Sequence, residues 1–466
     1  MTKPYYQDDQ GVTLYHGDCI EVMRSLPDAS VHAVVTDPPY GLEFMGREWD
    51  GADGFRRSLN AADVGRESVY GRTSGKAPEF KAGKVFQDWC ELWAAEALRV
   101  LKPGGFLLAF GGTRTWHRLQ TGIEDAGFEI RASMAWLYGS GFPKSMDIAK
   151  AITGAELGFG SNSSAIRKAT LGEDYTESGR LGNRDGAGRR DTGMLGKALD
   201  LSEAAKAWEG WGTALKPGHE PIVVARKPIA GTVAANVLAH GTGAMNIAAS
   251  RVGEEKLEPV TRGVSRIGTF EGIEGIEGKV TAERTGRWPT DVILDSSQAA
   301  ALDQHTGILT SGKMQPTKPQ PSNRKVYGQD ATAGYETMET YGDSGGASRF
   351  FSTFDMSAED WATELAMRDL PTFRYEAKAP GSERPDVDGT EHPTVKPLAL
   401  MRYLVNLVTM PGGTVLEPFA GSGTTLEACL LDGFNVIGIE REETYLPLIM
   451  QRIKKPLQQS LFGDIA

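Results

Sequence analysis

A chain of 466 residues with 40% hydrophobic composition can bury one large core carrying insertions, or two to three smaller ones. Its net charge of −11 argues mildly against a polyanion as ligand, although a local basic cleft can coexist with an acidic exterior. No apolar run is long enough to span a bilayer, no signal-peptide pattern opens the chain, and Cys19, Cys90 and Cys429 fit no metal spacing. Membrane, secreted and zinc-module readings fall away, and a reducing, cytoplasmic setting is expected.

In chain order, Val12 to Tyr15 reads as a short strand ending in His16-Gly17-Asp18, with a helix over Cys19 to Ser25 that Asp18 would cap. Val31 to Val35 is a short β-branched run that reads as a buried parallel strand. It drives into Thr36-Asp37-Pro38-Pro39-Tyr40-Gly41. Two prolines fix φ and lack an N–H, so the ladder must stop there, at the carboxyl end of a strand where open α/β sheets place ligands. Asp37 supplies an acceptor and Tyr40 a flat apolar face. Together they suit a planar base with an exocyclic amine.

Gly41 to Lys84 is a long loop rich in Gly, Arg and Ser, expected to be functional. It carries Arg56, Arg57, Arg66, Arg72, Lys76, Lys81 and Lys84, a candidate phosphate contact. Phe86 to Leu101 has helical spacing and ends at Lys102-Pro103-Gly104-Gly105. A strand (Phe106 to Phe110), a helix (Arg114 to Asp125) and a longer strand (Glu129 to Tyr138) follow, and the alternation predicts a doubly wound parallel sheet. The pattern is lost from Gly139 to Leu215, and the glycine, serine and charge that dominate Gly154 to Gly196 suggest a mobile insertion. Order returns at Trp211 to Pro221, and Ile222 to Ala225 is expected as an edge strand. Residues 228–370 depart again, with an acidic repeat over Phe270 to Gly278, one convincing strand over Arg287 to Leu294, and a second basic stretch (Lys313, Lys318, Arg324, Lys325).

The C-terminal segment restores the pattern: a helix over Leu398 to Val408, a strand at Val415-Leu416, and the turn Glu417-Pro418-Phe419-Ala420-Gly421-Ser422-Gly423. Gly421 and Gly423 permit positive φ and close approach of a ligand. A helix over Thr424 to Leu431 follows. The turn lacks both the lysine of a P-loop and the third glycine of the dinucleotide fingerprint, which disfavours a nicotinamide oxidoreductase. The strand Phe434 to Ile439 ends in Glu440, placed to bind ribose hydroxyls. A last helix is expected over Glu442 to Ile453.

Three stretches together, Asp37-Pro38-Pro39-Tyr40, His392-Pro393-Thr394-Val395-Lys396-Pro397 and Phe419-Ala420-Gly421-Ser422-Gly423, resemble the amino-methyltransferases of DNA that use S-adenosylmethionine. Their order resembles the β-class. The resemblance implies an α/β fold: a doubly wound, mostly parallel, Rossmann-like methyltransferase sheet, circularly permuted with large insertions and neighbouring termini. It implies a catalytic role for Asp37, Pro38, Pro39 and Tyr40. It assigns the cofactor's methionine moiety to Phe419, Gly421 and Gly423, its carboxylate to Thr394 and Lys396, its ribose to Glu440 and its adenine to Asp18. On this reading residues 1–150 are the catalytic half, 151–215 a flexible insertion, 216–227 the strand that closes the sheet, 228–370 the target-recognition region and 371–466 the cofactor half.

The implied reaction is methylation of a flipped base in double-stranded DNA, adenine N6 favoured, with cytosine N4 as the alternative and a catalytically inactive DNA-binding relative as a more distant one. No membrane partner is expected. A homodimer and a restriction endonuclease partner are left open, and no metal is called for.

Overall fold

In a computed structural model the described residues are 3–41, 50, 55, 79–139, 145–156, 201–257, 261–262, 279–280, 284–310, 325–326, 329–330, 344–354, 384–387, 389–392 and 394–454. Two compact units divide the chain. One comprises Met1–Gly139, His219–Asp360 and Ala377–Ala466, and the other Ser140–Gly218 with Trp361–Glu376.

The first unit is built on strands β1 (Tyr6–Gln7), β2 (Val12–His16), β3 (Val31–Thr36), β4 (Leu101–Phe110) and β5 (Glu129–Leu137). β6 (His219–Arg226), β7 (Val292–Asp295), β8 (Ser352–Phe354), β9 (Thr414–Glu417) and β10 (Asn435–Glu440) complete it. All ten lie in one sheet of order β1-β2-β10-β9-β3-β4-β6-β5-β7-β8. From β2 to β4 every pairing is parallel. The strands that come last in sequence, β9 and β10, therefore sit between β2 and β3. This is the doubly wound sheet that the strand–helix alternation implied, in the permuted order that the motif resemblance implied. The described chain ends are neighbours too, with the Lys454 ammonium 5.8 Å from the ring centroid of Tyr6.

Both faces of the sheet are covered, which is why its strands read as continuous apolar runs. Helices α1 (Cys19–Ser25), α2 (Glu79–Val100) and α3 (Trp116–Asp125) bury Met23, Trp93, Ala97, Leu119 and Ile123 against Val34, Leu107 and Leu416. In the second unit lie α4 (Ile148–Glu156) and a four-residue helix, Glu203–Lys206, capped by Ser202. The first unit continues with α5 (Val233–His240), α6 (Ser296–Thr306), α7 (Leu398–Val408), α8 (Thr424–Leu431) and α9 (Leu446–Ile453). The last three bring Leu404, Leu426 and Ile449 to the opposite face, against Val35, Leu108 and Val415. Alternate residues of one strand, Val34 and Val35, thus serve different cores, as strand geometry requires.

Three expectations need correction. The strand read at Ile222 to Ala225 is not an edge: β6 lies between β4 and β5, antiparallel to both. The stretch read as one strand over Arg287 to Leu294 is two. Arg284–Arg287 pairs with Val252–Leu257 in a two-stranded ribbon, and the chain turns through Trp288–Asp291 before β7 joins the main sheet. Pro289, without an N–H, breaks the ladder there. The final helix starts at Leu446, after a 3-10 turn over Glu443–Tyr445.

Part of the region assigned to target recognition also extends the main sheet, through β7 and β8. The basic stretch over 56–78, most of that over 311–328, the repeat over 270–278 and the glycine-rich residues 157–200 lie outside the described residues.

Candidate active site

Strands β2, β10, β9 and β3 are consecutive and parallel, so their carboxyl ends share one edge of the sheet. Asp18 follows the first tip, Glu440 ends the second, the Ala420–Gly423 turn follows the third and Asp37 the fourth. Residues nearly four hundred positions apart become neighbours because Ala33 and Val34 pair with Val415 and Leu416.

The loop after β3 is held at several points. Tyr40 donates its hydroxyl proton to Asp37 Oδ1 (2.8 Å), and Lys396 Nζ donates to Asp37 Oδ2. Thr115 Oγ1 donates to the Tyr40 carbonyl (2.6 Å). Gly41 N–H donates to Oδ1 of Asp50 (2.7 Å), which is 1% exposed. Gly41 itself has φ +67, and a Cβ there would lie 2.9 Å from the Phe86 ring. The loop therefore needs glycine for both its conformation and its close packing on α2.

Lys396 is 6% exposed. Its Nζ stands 4.9 Å from the Phe110 ring centroid, 5.6 Å from that of Tyr40 and 3.7 Å from Glu220 Oε2.

In the turn after β9, Gly421 has φ +53 and Gly423 φ +84. A Cβ on Gly421 would lie 3.1 Å from Nε2 of His392, so this ring walls the turn. His392 Nδ1 donates to the Thr394 carbonyl (2.6 Å), and burial lowers the imidazole pKa to about 4, leaving it neutral at neutral pH. Glu440 accepts from Gly421 N–H through Oε2 (2.7 Å) and from Glu442 N–H through Oε1 (2.7 Å). Burial raises its pKa to about 7.

Beneath the turn, Glu417 is buried between the two motifs. It accepts from Thr36 Oγ1, from Thr425 Oγ1 (2.7 Å) and from Phe419 N–H (3.0 Å). Burial pushes its carboxyl up to about 8, so it is mostly protonated at neutral pH.

The residues singled out in the sequence fall as follows. Asp37, Pro38, Pro39 and Tyr40 form the loop after β3, with Pro38 buried. Asp18 caps α1, its Oδ1 accepting from Ile20 N–H (2.9 Å) and Glu21 N–H (3.4 Å). The Phe419 ring packs against Trp89 and Trp93, each 5.5 Å away between centroids, on the core side of the turn. Thr394 holds His392 through its backbone. Lys396, expected beside a cofactor carboxylate, instead has its ammonium on Asp37.

Sequence reasoning gave no role to Glu417, Thr36, Thr425, Thr115, Asp50 or Glu220. One signal was available: Asp37-Pro38, Glu220-Pro221 and Glu417-Pro418 are all acid–proline pairs at the ends of apolar runs. Glu220 stands near the start of β6, and because β6 is antiparallel its start reaches the edge where the parallel strands end.

Comparison with known proteins identifies the family. A family model described as DNA methylase (N6_N4_Mtase) matches residues 31–451, and the chain belongs to that family. It is 26% identical over 247 residues to the type II methyltransferase M.HindIII of Haemophilus influenzae, covering 50% of this chain and 64% of that protein. To the type II methyltransferase M.BamHI of Bacillus amyloliquefaciens it is 32% identical over 108 residues, 23% of this chain and 19% of that one. The chain thus spans less than two thirds of either relative. A solved structure of the cytosine-N4-specific PvuII DNA methyltransferase aligns with a TM-score of 0.42 and 12% identity, over 97% of this chain and 90% of that one.

Proposed function

We propose that this chain methylates the exocyclic amine of a flipped base in DNA, adenine N6 in preference to cytosine N4, with S-adenosylmethionine as donor. The observation that carries this reading is the shared edge. A glycine turn and an acid occupy the tips of β9 and β10, and an acid beside a tyrosine stands on the next strand tip, β3.

The residues present fit the cofactor. The turn carries no side chain larger than serine, so a ligand can lie against its backbone. The buried Glu440 carboxyl, held by backbone N–H groups at the tip of β10, keeps acceptor capacity for a ribose hydroxyl. Gly421 and Gly423 would hold the methionine moiety, Glu440 the ribose and Asp18 the adenine. Bound there, S-adenosylmethionine supplies an electrophilic methyl group.

The chain's own residues do the rest. An exocyclic amine is a poor nucleophile because its lone pair is delocalised into the ring. Asp37 and the Pro38 carbonyl accept its two protons in hydrogen bonds and draw the lone pair back onto nitrogen. Once alkylated, the nitrogen is cationic and sheds a proton without a strong base. The rate comes from orientation and electrostatics. Extruding the base costs roughly a few kcal/mol, and stacking on Tyr40, about 1–3 kcal/mol, offsets much of that.

A second surface supports DNA as substrate. At one end of the ribbon formed by Val252–Leu257 and Arg284–Arg287, the Arg251 guanidinium lies 5.7 Å from the ring centroid of Trp288, which is 63% exposed. Arg287 and Arg349 flank Phe350 at 5.4 and 4.2 Å. Cations interleaved with exposed aromatics suit a nucleic acid, and a two-stranded ribbon is a shape the major groove admits.

The test is direct. DNA from a methylation-free host is incubated with the protein and methyl-labelled donor, digested to nucleosides and read by mass spectrometry. N6-methyladenine is expected. N4-methylcytosine would replace the preferred base with the alternative, and DNA without label would remove the reading.

A further inference from the structure

Lys396 lies between two carboxylates, and that arrangement bears on how the site admits its substrate. In the resting enzyme Asp37 is engaged on both oxygens, Oδ1 by the Tyr40 hydroxyl and Oδ2 by the Lys396 ammonium. A target amine approaching Oδ2 brings a donor to an oxygen where a stronger, charged donor already sits. Oδ2 has a second acceptor site, but it accepts more strongly from the amine once the charged donor it shares has moved off.

A buried ammonium cannot withdraw into an apolar wall without a counter-charge. Glu220 supplies one. It is 7% exposed, and its Oε2 is 3.7 Å from Lys396 Nζ, within ion-pair range and longer than a hydrogen bond. Its position is fixed by the sheet: Ile222 pairs with Phe110 and Gly111 N–H donates to the Pro221 carbonyl (2.9 Å), so the start of β6 cannot drift from the site. The rings of Phe110 and Tyr40 line the space around the ammonium and favour a cation over their faces. A small rotation of the flexible lysine stem exchanges one carboxylate for the other.

We propose that Lys396 is a positioning residue that holds Asp37 in the resting enzyme and passes to Glu220 as the target amine takes its place on Oδ2. The inference rests on the methyl-transfer reading above. It gives Glu220, which lies outside all three motifs, a part in the reaction, and it differs from holding the cofactor's carboxylate, the role the motif resemblance implies for Lys396.

The test compares Glu220→Gln, Lys396→Met and Lys396→Arg in the full chain, with three readouts: donor affinity by calorimetry, steady-state transfer to DNA from a methylation-free host, and thermal melting. Glu220→Gln keeps the side chain's size and removes its charge. It should melt like the wild type, bind the donor within about twofold and keep its KM for donor, while kcat falls about 10- to 100-fold. Lys396→Met should also retain donor affinity and lose kcat, and Lys396→Arg should recover part of the loss because the cation returns. Wild-type kcat in Glu220→Gln overturns the inference. So does a loss of donor binding in Lys396→Met that matches its loss of transfer, because Lys396 would then belong to the cofactor. A wild-type chain that transfers no methyl group removes the functional reading itself, a result distinct from either of these.

Discussion

Asp37→Ala is expected to abolish methyl transfer to DNA while the donor still binds. The substitution removes the acceptor proposed to localise the amine's lone pair, a contact that would be made most strongly as charge develops on nitrogen. Losses for a single electrostatic group of this kind run to about 100- to 1,000-fold or beyond. The donor's proposed contacts belong to other strands, so calorimetry should give an affinity close to the wild type's. There is also a stability component. Lys396 loses the carboxylate it donates to, and stranding one partner of a buried pair typically costs about 3–5 kcal/mol. Glu220 at 3.7 Å should offset part of that. Equal losses of transfer and of donor affinity would sink the role given to Asp37.

Glu417 carries the second large effect, and here the isosteric and truncating variants should diverge. Glu417→Ala strands Thr36 Oγ1, Thr425 Oγ1 and Phe419 N–H in a buried site. At about 1–3 kcal/mol for each buried group left unsatisfied, the domain should melt many degrees lower or fail to fold. Glu417→Gln keeps the shape and at neutral pH resembles the protonated acid already present.

The pH dependence has a definite sign. The carboxyl titrates near 8 in the fold against an ordinary value of 4.5, so the folded state holds its proton more tightly. The stability this confers is complete below about 4.5 and lost as pH rises through about 8. Melting curves of the wild type should therefore fall across that window. Those of Glu417→Gln should fall less, by the part that belongs to this group, and the remaining slope includes Glu440, whose carboxyl is also raised, to about 7. Parallel curves for the two proteins would show that Glu417 does not titrate as described.

Much of this fold was legible in the chain, for identifiable reasons. The helices over Cys19–Ser25, Leu398–Val408 and Thr424–Leu431 have the limits their periodicity and flanking residues suggest. Acid–proline and glycine punctuation marks where β3 and β9 stop, and it places both candidate motifs at strand ends.

The order of strands was less legible. Ile222 to Ala225 is apolar without alternation, a pattern that signals burial on both faces and hence an interior strand. Partners of individual side chains were least legible of all. That Lys396 meets Asp37 and Glu220 depends on three segments whose approach is set by the sheet, and no local pattern encodes it. Glu417 looks in sequence like Asp37, an acid before proline at a strand end. What separates them is that Thr36 and Thr425 close over one and leave the other, 19% exposed, at the rim.

The central claim is that the tips of β2, β10, β9 and β3 form one pocket for both donor and base. A crystal structure with bound S-adenosylmethionine tests it most directly. The account predicts adenosine near Asp18 and Glu440, the methionine moiety on the Gly421–Gly423 turn, and the sulfonium methyl directed toward the Asp37–Tyr40 loop. Donor bound elsewhere, or bound on the turn with its methyl directed away from Asp37, would contradict it.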